Sequence, residues 1–257
     1  MPRAAAGQRG GTRRRLARAA AAVLALLAPA VPAAAACRTD SFEGTGYAIC
    51  EVAAGADLRL FLTAPDGRGY GSFARVSEAL GGGSRLVFAM NAGMYHRDRS
   101  PVGLLVENGT ERAPIVTAAG PGNFGMRPNG VFCVTSTGFA VIESRAFAKS
   151  PPACRQATQS GPMLVIGGAL HPRFLPDSNS AFVRNGVGVS ADGGRAVFAI
   201  SDRPVTFHTF ARLFRDHLGL PDALYFDGQI SRLYAPELGR DDWGFAMGPI
   251  VGLVDPG

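Results

Sequence analysis

Apolar residues in this chain come in short runs, each closed within a few positions by Gly, Pro, Asn or Asp. Leu86–Met90, Val102–Val106, Gly130–Val134, Phe139–Ile142, Met163–Ile166, Asn185–Ser190 and Ala196–Ile200 all read this way, and Leu58, Leu60 and Leu62 alternate with Arg59 and Phe61. Runs of that length suit strands. Helical spacing is confined to Phe73–Leu80 and to Phe207–Leu218, where Phe207, Phe210, Ala211, Phe214 and Leu218 share one face before Gly219 and Pro221 stop it. The pattern predicts an α+β fold, a single domain with a large mixed β-sheet core and few helices.

The stretch Arg195–Tyr234 carries the most specific signal. Ala196–Ile200, the helix and Ala223–Phe226 read as a strand-helix-strand unit, and Asp202 and Asp227 follow the two strands at matching places. A crossover of this length predicts a parallel pair whose ends emerge at one sheet edge, so the two carboxylates are expected to share a crevice. The plainer reading is that each aspartate is a turn residue, since Asp227-Gly228 is by itself an ordinary turn dipeptide.

Other chemistries are weaker. Gly120, Gly122 and Gly125 satisfy the letters of a dinucleotide-binding loop, but prolines surround them and no helix follows to meet a pyrophosphate. No nucleophile elbow surrounds Ser160. His208 and His217, nine residues apart, fall on opposite sides of their helix, and no Cys or His pair has zinc spacing. His96, in a turn after a buried strand, is either a pocket residue or an exposed one. Arg184, just before a strand, is either an ion-pair partner or an anion clamp.

Residues 1–36 read as an export signal: Arg13, Arg14 and Arg15 precede an apolar core, and small residues run to Ala36. This segment holds six arginines and no acid, which accounts for the whole formal charge of +6 and removes the ground for nucleic acid as a partner. The remainder, 37–257, has no second long apolar run and so no expected membrane span. Its four cysteines, in an exported chain, predict two disulfides, with the short-loop pairing Cys37–Cys50 and Cys133–Cys154 favoured among three connectivities. The expected address is periplasmic or extracellular.

NAGMYH from Asn91, PVGLLVENG from Pro101, GPGNFGMRPNGVF from Gly120, QSGPMLV from Gln159, RNGVGV from Arg184, and FAISD through ALYFDG together resemble the phosphodiester glycosidase family over nearly all of 37–257. The resemblance implies an exported hydrolase that cleaves a sugar-1-phosphodiester to free sugar and phosphomonoester, on envelope or extracellular glycans. It implies catalytic roles for Asp227 and Asp202, and substrate contacts from Asn91, His96, Asn129, Gln159, Ser160, Gly161, Arg184 and Gly228. Gln229 departs from the serine or glycine that many relatives carry after Asp-Gly, which leaves the shape of that turn open. Two rival readings remain: a phosphodiesterase cleaving P–O with the same aspartates holding a hard cation such as Ca²⁺ or Mg²⁺, and a noncatalytic binder of envelope glycans. The resemblance implies no certain cofactor and leaves a divalent cation, Ca²⁺ or Mg²⁺, open.

Overall fold

In the computed structural model the described residues are 35–257, with Ala4 and Gly7 upstream. The proposed export signal therefore lies outside the described residues, apart from Ala35 and Ala36, whose backbone begins the first strand.

Three antiparallel sheets enclose one core. The largest has seven strands in the order Ala35–Phe42, Thr45–Ala53, Arg195–Ser201, Asn185–Val189, Asp222–Tyr225, Met163–Ile166 and Ala169–Leu170. A second runs Arg240–Asp241, Leu233–Ala235, Arg85–Asn91, Ile250–Asp255 and Leu58–Phe61. The third runs Thr110–Ala113, Leu105–Glu107, Gln156–Ser160, Gly130–Val134 and Phe139–Glu143. The α+β class and the scarcity of helices hold, but the sheet expected to be mixed is three sheets in which every ladder is antiparallel.

The strand-helix-strand unit exists with one change. Arg195–Ser201 and Asp222–Tyr225 run in the same direction without pairing, because Asn185–Val189 lies between them, antiparallel to both. Two strand spacings, about 10 Å, therefore separate their backbones. The helix begins at Phe207, capped by Thr206, whose side chain accepts from Thr209 N–H. Its last turn, Leu213–His217, widens so that Leu218 N–H reaches Leu213 O, and left-handed Gly219 then ends it. Phe210, Ala211, Leu213 and Phe214 pack on one face of the seven-stranded sheet against Tyr47, Val197 and Tyr225. Its other face, through Cys50, Phe198, Leu224 and Phe226, meets Phe88, Met90 and Leu253 of the second sheet and Phe132 of the third. Central strands buried on both faces explain why they read as continuous apolar runs rather than alternations.

Phe73–Leu80 is a helix with the expected bounds, capped by Ser72. The run expected at Val102–Val106 forms a strand only from Leu105 to Glu107. Cys37 is bonded to Cys50 across the first hairpin, and Cys133 to Cys154. No helix among the described residues is long and apolar enough to cross a membrane.

Candidate active site

The sheets converge at a few strand ends. Asn91 closes a strand of the second sheet, Ser160 a strand of the third, and Asn185 opens a strand of the first. All three are fully buried, so their polar groups must be satisfied inside the protein, and each partner found leads to Asp227. Asn185 Nδ2 donates to Asn91 Oδ1 (2.8 Å), and Asn185 Oδ1 accepts from the Asp227 backbone N–H (3.2 Å). Asn91 Oδ1 also accepts from Arg232 N–H at 3.0 Å. Ser160 Oγ donates to Phe226 O at 2.7 Å. Ser231 Oγ donates to Asp227 O at 2.7 Å and fastens the far side of the turn. The carboxylate stands on a loop fixed at both ends.

Asp227 faces a cavity of about 420 Å³ whose walls include Tyr95, Phe124, Phe182, Tyr225 and Gly228. Burial holds its carboxyl above the ordinary carboxylate range, against the opposing pull of the N–H groups of Gly228, Gln229 and Ile230. Gln229 N–H donates to Asp227 Oδ1 at 2.9 Å, a backbone contact that any residue at 229 could make. The Tyr95 hydroxyl is pushed up by burial and by the Asp227 charge, which sets the two groups within electrostatic reach. Tyr225 Oη is buried with no hydrogen-bond partner among the described residues. It lies so near Gly228 that a β-carbon there would approach within 1.9 Å, so this position of the turn has room only for glycine.

Asp202 is elsewhere. Its backbone N–H reaches Gly46 O, and its exposed carboxylate pairs with Arg240 Nη1 at 3.1 Å, outside the Asp227 cavity. The shared crevice is thus not formed: an interposed strand parts the two strand ends, and Arg240 draws the Asp202 side chain outward.

Several other candidates sit behind the cavity rather than in it. Gln159 is spent on Leu104 N–H, Val116 N–H, Val116 O and Ser144 Oγ. Asn129 Nδ2 donates to Phe124 O (2.8 Å) and so props a cavity wall. Gly161 is pressed against Asn129 and Phe124, where a β-carbon would come within 2.6 Å of the Asn129 side chain. His96 is exposed, and its neighbours Met94 and Tyr95 line the cavity instead.

Arg184 is 1 % exposed and has no carboxylate partner. Its Nε donates to Val205 O at 2.8 Å and Nη2 to Ser180 O at 3.0 Å, while Nη1 has no partner among the described residues. The guanidinium lies 3.6 Å from the Phe207 ring centre and 5.3 Å from that of Tyr225. Desolvation lowers its proton affinity. The guanidinium, charged all the same, stands behind the Tyr225 wall. Sequence reasoning missed Tyr95, Phe124, Phe182, Tyr225 and Asn185 as site residues; all five fall inside or beside the quoted motifs, but their apolar character or strand position marked them only as core.

Among the described residues no three His, Cys, Asp or Glu side chains converge as a metal-holding group.

A model of the phosphodiester glycosidase family matches residues 84–240, which include every element of the Asp227 cavity named above. Protein YigE of Escherichia coli (strain K12) is 34 % identical over 177 residues, 69 % of either chain. The fold is similar to that of the zebrafish N-acetylglucosamine-1-phosphodiester alpha-N-acetylglucosaminidase catalytic domain auto-inhibited by its pro-peptide. That match has a TM-score of 0.57 at 12 % identity, covering 85 % of this chain and 81 % of that one.

Proposed function

We propose that this chain, which belongs to the phosphodiester glycosidase family, is an exported hydrolase that cleaves glycosyl phosphodiesters between sugar C1 and oxygen. The observation that carries this reading is a half-buried carboxylate, Asp227, set on a pinned turn at the wall of an aromatic cavity of sugar size. Aromatic walls suit the apolar face of a sugar ring, and on this reading the ring is held with C1 beside the Asp227 carboxylate. The two disulfides support an oxidising destination beyond the cytoplasm.

One carboxylate suffices for the chemistry. A phosphomonoester leaves with the electron pair of the C1–O bond and needs less proton donation than an alkoxide would. Asp227 acts as nucleophile on C1 or as base toward the attacking water, and burial makes it the stronger base. The water oxygen ends on C1, and its proton ends on the phosphate or in solvent. Tyr225 Oη, buried beneath Gly228 with the Arg184 guanidinium beside it, holds the cavity wall in place. Asn91, Asn185 and Ser160 act as positioning residues. Asp202, paired with Arg240 outside the cavity, has no part in this step.

The test is turnover of sugar-1-phosphodiesters by the purified protein. Free sugar and phosphomonoester should appear together, and a folded Asp227→Asn variant should lose turnover by several orders of magnitude. Near-normal activity in that variant would remove Asp227 from the mechanism.

A further inference from the structure

Many of the described arginines pair with acids, among them Arg38 with Glu51, Arg59 with Asp57, Arg85 with Asp255, Arg195 with Glu51 and Arg212 with Asp216. A second cleft, of about 380 Å³, gathers three that do not. Arg127, Arg145 and Arg173 converge on it from three separate segments, and none forms a salt bridge among the described residues. Glu143 also lines it, with its Oε2 accepting from the backbone N–H groups of Arg145 and Ala146, each at 2.9 Å. Three guanidinium groups against one carboxylate leave a net positive field there, in a chain whose formal charges beyond residue 36 sum to zero.

The position of this cleft gives it meaning. The segment Gly120–Gly125 folds back on itself so tightly that a β-carbon at Gly125 would lie 2.0 Å from Gly120 O. Pro121, Gly122, Asn123 and Phe124 of this loop line the Asp227 cavity, while Gly125, Arg127 and Pro128 line the arginine cleft. One loop is thus the wall between them. The Asp227 cavity itself has no cationic side chain in its lining, whereas the cleft across the loop has three. Guanidinium groups bind phosphate oxygens through paired, charge-assisted N–H donors, which makes phosphate the chemistry this cleft selects.

We propose that the Arg127–Arg145–Arg173 cleft is a phosphate subsite for the leaving-group side of the substrate, so that the preferred substrate carries a second phosphate beyond the diester that is cut. The proposal rests on the reading of the Asp227 cavity as the sugar-cleaving site. The second phosphate can sit on a small aglycone or be the next link of a phosphodiester-joined glycan chain; both present the same group to the arginines.

The decisive comparison uses substrates sharing one sugar: one with a neutral alkyl aglycone, one whose aglycone ends in a phosphomonoester, and a phosphodiester-linked oligomer. At low ionic strength kcat/KM should be at least about tenfold higher for a second-phosphate substrate, and the advantage should shrink as salt rises. A small aglycone favoured over the oligomer would identify a discrete metabolite as the source, and the reverse a polymer. Arg145→Gln with Arg173→Gln, both at exposed positions, should abolish the advantage and leave the neutral-aglycone rate unchanged. A binding arm needs no turnover: calorimetry should find tripolyphosphate bound by Asp227→Asn protein and lost when the two arginine substitutions are added. Equal rates for all three substrates, equal loss on all of them in the arginine variant, or tripolyphosphate binding that survives the substitutions would overturn the subsite. Tripolyphosphate binding that requires the arginines, without turnover of any diester, would instead overturn the hydrolase reading and leave the anion site standing.

Discussion

Burial lifts the Asp227 carboxyl above its ordinary 3.8 although three backbone N–H groups pull it down. A carboxyl whose folded pKa lies above its unfolded one binds protons more readily in the native state. Its contribution to stability is full below the unfolded value and is lost as pH rises through the folded value, so at neutral pH the ionised group works against the fold. Asp227→Asn, which removes the charge and keeps the shape, should therefore raise the melting temperature at neutral pH while abolishing turnover. Thermal unfolding followed across pH should show the gain shrinking as the wild type is acidified through and below its folded pKa. A variant less stable than wild type at neutral pH would mean that the N–H groups of the turn outweigh desolvation. The neighbouring glycine supports a second prediction. A methyl group at Gly228 would collide with Tyr225 Oη at 1.9 Å, yet stand 3.2 Å from the ring carbon that bears it. Gly228→Ala should cost about 1 to 3 kcal/mol, and adding Tyr225→Phe should restore most of that loss. Denaturant titrations of both single variants and the double one give the coupling directly; simple additivity would mean the turn moves and the tyrosine does not.

At the scale of elements, what holds the site is the meeting of strand ends from three sheets, and the Asn91–Asn185 pair is the joint. Replacing Asn185 with Ala leaves Asn91 Oδ1 with one partner fewer and the Asp227 backbone N–H without its acceptor. The expected loss is about 1 to 3 kcal/mol for the buried groups left unpaired, together with a fall in kcat larger than any rise in KM, because the carboxylate loses its aim and the cavity walls do not. This joint was invisible in the sequence. Runs such as Leu86–Met90 and Asn185–Ser190 were legible as buried strands, and the acid closing Ala223–Phe226 stood out because polar residues after apolar runs are few. Partnership between strands distant in the chain has no local periodicity, however, so the place of Asn185–Val189 between the two aspartate-bearing strands was not legible and the aspartates were expected to be neighbours. The N-terminal hairpin was missed for a different reason: Arg38, Thr39, Asp40, Gly46 and Glu51 interrupt the apolar run that marked the others. The cysteines were the most legible long-range signal. Cys133 lies in an inner strand of the third sheet, 21 positions from Cys154, and closing a loop of that length stabilises by about 3 kcal/mol. Cys133→Ala with Cys154→Ala should lower unfolding free energy by roughly that amount in a urea titration, and a change near zero would mean the bond does not constrain the unfolded chain as a loop of that length should.

The whole molecule sets one carboxylate in a cavity and a cluster of guanidinium groups across a loop from it, and that separation of charge bears on which bond breaks. Cleavage at phosphorus needs a hard cation or a set of donors around the scissile phosphate, and the lining of the Asp227 cavity supplies aromatic rings and a single acid. Cleavage at C1 needs a nucleophile or base at the sugar and only charge dispersal at the phosphate, which a field from Arg184 behind the Tyr225 wall can give without touching C1. Hydrolysis in ¹⁸O-labelled water separates the two, since the label joins whichever centre water attacks. The expected product is labelled sugar with unlabelled phosphomonoester, at a rate indifferent to a strong chelator. Label on the phosphate together with loss of activity in chelator would reassign the protein to metal-assisted phosphodiester hydrolysis, and Asp227 would then be read as a ligand whose raised proton affinity a bound cation would reverse.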